Sequence, residues 1–404
     1  MSSVLTKTAR WHTAFSVLLI LLWLWLLLDA TQACAYDVLC RNGNTAFEGY
    51  FRTGVQVDVG PPTRAALAVR TCRAVLSWGD EELVVAKDAA EIDLDIFGVD
   101  PGVGHPVAAF QIKRAEADCC MEYKIYSLDN PPLLLRTLSG GGYFNAADTD
   151  LNGQVEIWTD DVAAVEGFEG FRASQFDFPP HYVLRFEEGK LLDVSTEFQS
   201  YFDDQIEKLR AQINPGELQR FKLSDGKLTM TGASARVAGA VPKPLLTVKR
   251  QILQLVWAYL YSNREKQAWR TLVQMWSPAD VPRIRLALLA MRARGIRAQL
   301  DGTSGALPPT EIEHSKVYDS TKEPAQPIMV RFYPSAANGS LRGKFRVDLV
   351  VDSTGKVWSV TVRGKNKAAY DAVKHSTTNW KFIPAFIDNT PVASRLKITI
   401  SLKQ

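Results

Sequence analysis

Short apolar runs separated by polar turns occupy the first half of the chain. Between residues 36 and 192, runs such as AVLSW, VAAFQI and YVLRF alternate with clusters of Gly, Pro, Asn and Asp. Apolar runs of this length, bounded by turn residues, are typical of β-strands. We therefore predict an all-β domain over residues 36–192.

The apolar spacing changes to a helical period after residue 192. One series of apolar residues recurs every three or four positions, at Phe198, Phe202, Ile206, Leu209 and Ile213. This spacing predicts a helix over 193–213, and similar patterns predict helices over 245–261, 264–276 and 280–294. Residues 193–300 are thus predicted to be mainly helical.

A polar, Pro-containing linker at 301–327 leads to a compact unit at 328–404. Alternating apolar residues over 345–351, the turn DSTGK and the apolar residues of 357–362 predict a β-hairpin. A helical period over 366–380 follows, and two further strands end the chain. The whole chain is therefore predicted to be a multidomain α+β protein whose last unit has the order β-β-α-β.

The first 35 residues have the features of a secretory signal peptide. The basic residues Lys7 and Arg10 come first, and an apolar run of 15 residues follows at 14–28. The small residues Ala33 and Ala35 then occupy the −3 and −1 positions of a cleavage site. The run is shorter than the ~20 residues of a transmembrane helix. We therefore predict cleavage between Ala35 and Tyr36 and a periplasmic or secreted protein. The alternatives are a retained inner-membrane anchor, with the rest of the protein facing the periplasm, and lipid attachment at Cys34.

Export makes disulfide bonds chemically accessible to the remaining cysteines. Four cysteines lie beyond the predicted signal peptide: Cys40, Cys72, Cys119 and Cys120. Adjacent cysteines rarely bridge each other, so we expect Cys40 and Cys72 to bond separately to Cys119 and Cys120.

Positive charge is concentrated at the C-terminal end. The formal net charge is +3, yet the residues from Leu341 onward contain 12 Lys and Arg against 4 Asp and Glu. Some of these basic residues alternate with apolar ones, at Lys344, Arg346, Arg395 and Lys397. Such alternation indicates the solvated face of a sheet, and we predict no nucleic-acid partner.

The segment DTDLNGQVE, residues 148–156, is the clearest candidate metal site. Oxygen-bearing groups occupy its alternate positions: Asp148, Asp150, Asn152, the carbonyl of Gln154, and Glu156. Calcium prefers six to eight oxygen ligands, which an acidic loop of this kind supplies. The segment resembles the calcium loops of FG-GAP and related β-propeller repeats, and this resemblance implies calcium as the candidate cofactor. A hairpin loop without metal is the alternative.

A second acidic segment resembles the first. AEIDLDIFG (90–98) and AADTDLNG (146–153) superpose at a constant offset of 55, which aligns Asp93 with Asp148 and Asp95 with Asp150. The match predicts two related β units in tandem, as in a repeat or propeller-like architecture. We expect no metal in the earlier segment, because Phe97 stands where a ligand would be.

Signatures of catalysis are missing from the sequence. It contains no G-x-S-x-G, no H-E-x-x-H and no phosphate-binding Gly-rich loop, so we predict that the protein is not an enzyme. A pair of carboxylates needs no local motif. A secreted hydrolase therefore stays open as an alternative.

Residues 328–402 resemble the C-terminal domain of the TonB family. The motifs that carry the resemblance are Gly343, Asp352, Gly355, Trp380–Phe382, Pro384–Ala385 and Pro391–Val392. The family implies a periplasmic module that binds an extended peptide of an outer-membrane transporter by adding it to a sheet edge. The residues expected to contact such a peptide are Lys381, Phe382, Ile383, Arg395, Lys397 and Thr399. Separately, residues 245–294 resemble one tetratricopeptide-like helical hairpin.

The chain departs from the TonB family in two ways. Its apolar run is short and ends at a predicted cleavage site, and folded structure stands where a long Pro-rich spacer is expected. Our leading hypothesis is therefore an exported cell-envelope protein whose C-terminal unit binds a protein or peptide. A divergent energy transducer in transmembrane transport, with a retained anchor, is the first alternative, and a secreted hydrolase is the second.

Overall fold

The computed structural model describes residues 39–43, 46–62, 71–114, 119–228, 242–304, 315–319, 327–331, 343–364, 367–388 and 390–402. The predicted signal peptide, with Cys34, Ala35 and Tyr36, lies outside these ranges. None of the helices in the described ranges combines the length and the apolar character needed to cross a membrane.

The first sheet is an antiparallel meander. It contains β1 (Cys40–Arg41), β2 (Phe47–Tyr50), β3 (Gln56–Gly60), β4 (Cys72–Trp78), β5 (Glu81–Val99), β6 (Val107–Arg114), β7 (Met121–Ser127) and β8 (Leu134–Gly141). Strands β2 to β8 lie side by side in chain order, and β1 pairs with the long strand β5. The β5–β6 register shifts between Leu94 and Ile96, so Asp95 is the extra residue of a β-bulge.

The second sheet carries the helices. Its strands are β9 (Phe144–Ala147), β10 (Glu156–Asp160), β11 (His181–Glu187), β12 (Lys190–Asp193) and β13 (Gly302–Thr303), in the spatial order β13-β12-β11-β10-β9. The helices are α1 (Val162–Val165), α2 (Gln199–Gln212), α3 (Pro215–Lys222), α4 (Lys243–Tyr261), α5 (Glu265–Met275) and α6 (Val281–Arg294). We call the described residues from 39 to 304 the body.

The predicted helices are confirmed with small changes at their ends. Helices α2, α4, α5 and α6 begin and end within a few residues of the predicted bounds, except that Ser195–Phe198 forms a 3-10 turn before α2. Helix α3 was not predicted. The Asn214 side chain accepts hydrogen bonds from the main-chain N–H groups of Gly216 and Glu217, and Pro215 occupies the first helical position. An Asn-Pro pair is a known helix-start signal that could have revealed α3.

One hydrophobic core joins the second sheet to the helices. It includes Phe144, Ile157 and Leu184 from strands together with Phe202, Trp257 and Leu288 from helices. The predicted boundary between residues 192 and 193 therefore does not separate two cores. The strands and helices of this part of the body bury their apolar faces against each other.

The last part of the chain has a core of its own. Its elements are β14 (Tyr318–Asp319), β15 (Ile328–Arg331), β16 (Gly343–Val351), β17 (Val357–Arg363), α7 (Lys367–Ser376), β18 (Lys381–Ile383), β19 (Ala385–Ile387), β20 (Thr390–Val392) and β21 (Ser394–Leu402). The main sheet has the order β14-β21-β16-β17, and its core includes Phe345, Trp380 and Leu396. We call the described residues of 328–402 the C-terminal module. The predicted hairpin, helix and final strand are all present, with the short strands β18, β19 and β20 between helix and final strand.

The described chain is thus a mixed α/β protein with several antiparallel sheets and seven helices. This architecture is compatible with the predicted multidomain α+β class.

The predicted disulfide pairing is wrong. Cys40 bonds to Cys72, with an S–S distance of 2.06 Å, and Cys119 bonds to its neighbour Cys120, at 1.98 Å. Because β6 occupies one edge of β5, β1 and β4 share the other edge, which brings the Cα atoms of Cys40 and Cys72 to 5.9 Å. Cys119 and Cys120 precede β7, so β5 and β6 lie between the two pairs.

The predicted tandem repeat is also not a structural repeat. Asp93 and Asp95 lie inside the continuous strand β5, whereas Asp148 and Asp150 lie in the connection between β9 and β10. The two segments share acidic spacing but not backbone conformation. In both, however, carboxylates contact the C-terminal module.

Candidate functional site

The connection between β9 and β10, residues Asp148–Glu156, forms a tight turn that we call the acidic loop. Its own side chains hold it. The N–H of Gly153 donates to Asp148 Oδ2 (3.2 Å), that of Asn152 to Asp150 Oδ1 (3.2 Å), and that of Gln154 to Asn152 Oδ1 (2.7 Å). Gly153 has φ +87°, a conformation that favours glycine. The side chains of Asp148, Asp150 and Asn152 are therefore turned toward the main chain of the loop.

Two carboxylate oxygens in the acidic loop lack a hydrogen-bond partner among the described residues: Asp148 Oδ1 and Glu156 Oε1. Both side chains are fully buried. Glu156 Oε2 accepts from Thr149 N–H (3.0 Å), and Arg185 Nη1 lies 3.9 Å from Glu156 Oε1. Burial raises the pKa of the Asp148 carboxyl, and it raises the pKa of Glu156 to about 8. These groups favour either a proton or a cation.

The five predicted calcium ligands are brought together in one loop, but with different roles. The oxygens of Asp150 and Asn152 accept from N–H groups of the loop itself, including the Asn152 amide, while Asp148 and Glu156 each keep one oxygen that accepts no hydrogen bond from the described residues. Within the described ranges, no group of three or more His, Cys, Asp or Glu side chains is placed to hold a metal. A cation here would therefore need the neutral oxygens of Asn152 and Gln154 as well.

A turn of the C-terminal module, Asp352–Lys356, lies against the acidic loop, and we call it the docking turn. Asp352 Oδ2 accepts from the N–H of Asp148 (3.1 Å), and Ser353 Oγ donates to Asp148 Oδ2 (2.8 Å). Beside the turn, Trp358 Nε1 donates to the carbonyl of Thr149 (3.0 Å). The acidic loop thus contacts the C-terminal module through several directed hydrogen bonds.

The docking turn is itself tightly determined. Asp352 Oδ1 accepts from the N–H groups of Thr354 (2.9 Å) and Lys356 (2.8 Å) and from the Thr354 hydroxyl (2.7 Å). Gly355 has φ +89°, and a Cβ atom there would lie 1.9 Å from the carbonyl oxygen of Phe382. Only glycine fits at this position. Burial raises the pKa of Asp352 to about 6.

The acids of β5, residues Asp93–Asp95, form the second contact, which we call the acidic strand segment. Lys381 Nζ lies 2.5 Å from Asp93 Oδ2 and 2.9 Å from the carbonyl oxygen of Leu94. Lys356 Nζ lies 2.5 Å from Asp95 Oδ1 and 2.6 Å from Asn145 Oδ1. The body thus offers an acid to each lysine.

These ion pairs are largely removed from water. The carboxylates are almost fully buried, and each lysine side chain is about 15% exposed. Burial lowers the pKa of Lys356, while the neighbouring Asp95 acts in the opposite direction. Asp95 Oδ2 also accepts from the Tyr123 hydroxyl (2.7 Å) and from the N–H of Ala146 (2.8 Å). Such buried pairs hold only when both partners are present.

The residues predicted to bind peptide do not form one surface. Lys381 contacts Asp93 and Phe382 lies in the core of the C-terminal module. Ile383 pairs with Ile328 of β15. The other three residues, Arg395, Lys397 and Thr399, are exposed along β21.

Strand β21 lies at an edge of the main sheet that is only partly covered. Its inner side pairs with β16 along its whole length. On its outer side, β14 runs parallel to Ser394 and Arg395, and Tyr318 N–H donates to the carbonyl of Ala393 (3.0 Å). Beyond Arg395, no described strand pairs with that outer side. Since main-chain groups alternate along a strand, those of Arg395, Lys397, Thr399 and Ser401 face outward.

The sequence did not reveal the residues that join the two parts of the molecule. Asp352 and Gly355 were identified only as family-like turn residues, and Lys356 and Trp358 were not identified at all. Their partners lie more than 200 positions earlier in the chain, so no local spacing could show the contact. The surplus of basic residues in the C-terminal region was the only available signal.

No protein-family model, curated protein or solved structure matches this chain. The resemblance to the TonB family therefore stays a prediction, and function has to be argued from the chemistry of these contacts.

Proposed function

We propose that this protein is a non-enzymatic, exported cell-envelope protein whose C-terminal module binds an extended peptide along the outer edge of β21. The observation that carries the proposal is the pairing of β14 with this edge. A short segment of the linker already lies on β21 as an added strand, and the rest of the edge has no strand partner among the described residues. Adding a strand satisfies the exposed main-chain groups of an edge.

The exposed side chains along β21 would select the peptide. Arg395, Lys397 and Thr399 present two cations and one hydroxyl, so an extended peptide with acidic or polar residues at alternate positions fits best. Affinity would come chiefly from main-chain hydrogen bonds. A transporter segment of the outer membrane is one partner of this kind, as the TonB resemblance implies.

Proline substitution separates main-chain recognition from side-chain recognition. We would select 12-residue peptides that bind the full-length protein and measure their affinity by fluorescence anisotropy. Lys397→Pro removes an N–H that faces outward and that the sheet does not use, so the fold tolerates it. We expect Lys397→Pro to weaken binding at least tenfold and the matched variant Lys397→Ala to weaken it less than threefold. Equal binding by wild type and a folded Lys397→Pro protein would exclude this edge.

Export is tested separately by intact mass and fractionation in a Gram-negative host. A soluble periplasmic species that begins at Tyr36 supports the proposal. A full-length species in the inner membrane would instead favour the energy transducer with a retained anchor.

A second candidate function is cation binding by the acidic loop. The buried oxygens of Asp148 and Glu156 that accept no hydrogen bond from the described residues favour it, and calcium would neutralise both carboxylates. The indole of Trp158 donates to Thr149 in the same loop (2.8 Å), so it can sensitise terbium luminescence. We expect the wild-type protein to give a terbium signal that is lost when calcium displaces the terbium. Asp148→Asn or Glu156→Gln should abolish the signal, and the surface variant Asp204→Asn should leave it unchanged. If the wild-type protein gives no terbium signal, the acidic loop does not bind cations.

A further inference from the structure

We propose that Lys356 and Lys381 form a binding site on the C-terminal module for extended segments of the pattern Asp-x-Asp, and that the body occupies this site with its own Asp93-Leu94-Asp95. The site lies at the docking turn and β18 and not at the β21 edge. Either proposal can therefore fail without the other.

The contact has the form of peptide recognition. The two lysines bind two carboxylates that are two residues apart on one strand, and Lys381 also binds the main-chain carbonyl between them. The acids are two residues apart, and the β-bulge at Asp95 bends the strand that presents them. A two-lysine site at this spacing thus reads an acidic pair on one short segment of chain.

The β-bulge of β5 adapts the body to this role. Asp95 is the extra residue in the β5–β6 pairing, and a bulge bends a strand and redirects its side chains. On the edge of β5 that β1 and β4 occupy, strand pairing ends at Ile92 among the described residues. Just beyond that point, the carbonyl of Leu94 accepts from Lys381.

Little space is left beside the ion pairs. The gap between body and module there has a volume of about 30 Å³, enough for a water molecule but not for a further side chain. The body lines it with Leu39, Leu94 and Phe97, and the module lines it with Gly355 and Phe382. The contact is therefore closely packed, and the fitting partner is a segment that presents two acids two residues apart, as the body's own Asp-Leu-Asp does.

Tethering favours the internal ligand. Because the body and the module belong to one chain, the acidic strand segment acts at an effective concentration in the millimolar range. An external peptide should therefore bind the wild-type protein weakly. Neutralising the two acids of the body removes the internal competitor while both lysines remain.

The test uses the full-length protein and a labelled peptide that copies residues 90–98, AEIDLDIFG. We expect the double variant Asp93→Asn and Asp95→Asn to bind this peptide at least tenfold more tightly than the wild type. Adding Lys356→Gln and Lys381→Gln should remove the gain. A peptide with both Asp replaced by Asn should not bind. The matched control is Asp88→Asn, an exposed acid on the same strand, which should leave affinity unchanged.

The alternative is an interface with only a structural role. In that case the folded double variant shows no gain in affinity, or a gain that survives replacement of the lysines, or equal binding of the Asn peptide. Each of these results overturns the proposal. If the double variant does not fold, the single variant Asp93→Asn is used, for which a gain of about threefold is expected and no gain overturns the proposal.

Discussion

The body and the C-terminal module are joined differently from the sheet and helices within the body. The second sheet and the helices share one apolar core, in which Trp257 of α4 lies fully buried against Phe168 and Phe176. The module has its own core and meets the body through ion pairs, hydrogen bonds and one small apolar cluster of Leu151, Val350 and Ala393. Apolar burial is not directional, whereas a buried ion pair requires one specific partner. The first contact depends on total apolar burial, whereas the second depends on a few specific partners.

The largest effect is expected inside the shared core. Trp257→Ala should lower the free energy of unfolding by about 3–5 kcal/mol, because it removes a fully buried aromatic side chain. Sheet and helices should lose structure together in denaturant titrations followed by circular dichroism and by near-ultraviolet signals. The control Leu286→Ala removes a side chain that is 69% exposed and should have little effect. Separate transitions for sheet and helices would contradict a shared core.

The next effect is expected at the interface. Asp95→Ala leaves Lys356 buried with Asn145 as its remaining polar side-chain partner from the body, which should cost about 2 kcal/mol or more. We expect faster hydrogen exchange in the docking turn, measured by mass spectrometry, and unchanged protection in α4. The double variant Asp95→Ala with Lys356→Met should be less destabilised than the sum of the single variants. Additive effects would show that the two residues do not interact.

A pH dependence should arise at the acidic loop. Burial raises the pKa of Glu156 from 4.5 to about 8, so the folded state holds the proton more tightly than the unfolded state. Stability should therefore fall as the pH rises between these two values, by up to about 1.4 kcal/mol per pH unit. Glu156→Gln should remove this slope from urea titrations performed without divalent cations. A wild-type slope that Glu156→Gln leaves unchanged would mean that Glu156 is already ionised in the folded protein at these pH values.

The smallest effect is expected at an exposed ion pair within the module. Arg363 Nη2 lies 4.0 Å from Asp348 Oδ2, and the arginine side chain is 74% exposed. Arg363→Ala should change the free energy of unfolding by less than about 0.5 kcal/mol, because water screens such pairs. A loss as large as that of Asp95→Ala would remove the distinction between buried and exposed charge.

Elements with a strong period were predictable from the sequence, and contacts between distant elements were not. The bounds of α4 to α6 and of the C-terminal hairpin follow from apolar spacing, which local burial enforces. The pairing of Cys40 with Cys72 depends on two strands sharing one edge of β5, which no spacing in the sequence encodes.

The acidic segments show the same limit at the candidate site. Their shared spacing suggested two related β units, with a metal loop only in the later one, yet the earlier segment lies in a long strand whose acids contact lysines. Acidic spacing places negative charge at a site. Whether a metal ion or a lysine side chain neutralises that charge depends on which part of the fold packs against it. The terbium measurement tests whether Asp148 and Glu156 bind a metal ion.

The separation in sequence between the acids and their lysines sets an order of assembly. Lys356 follows Asp95 by 261 residues, and Lys381 follows Asp93 by 288. At roughly 5–20 residues per second, a ribosome adds the two lysines about 13–58 s after making the acids. Until then the two acids have no lysine of the C-terminal module to pair with. Docking of the module must therefore be among the last steps of folding, and a chain that stops before β18 would lack the lysine that pairs with Asp93.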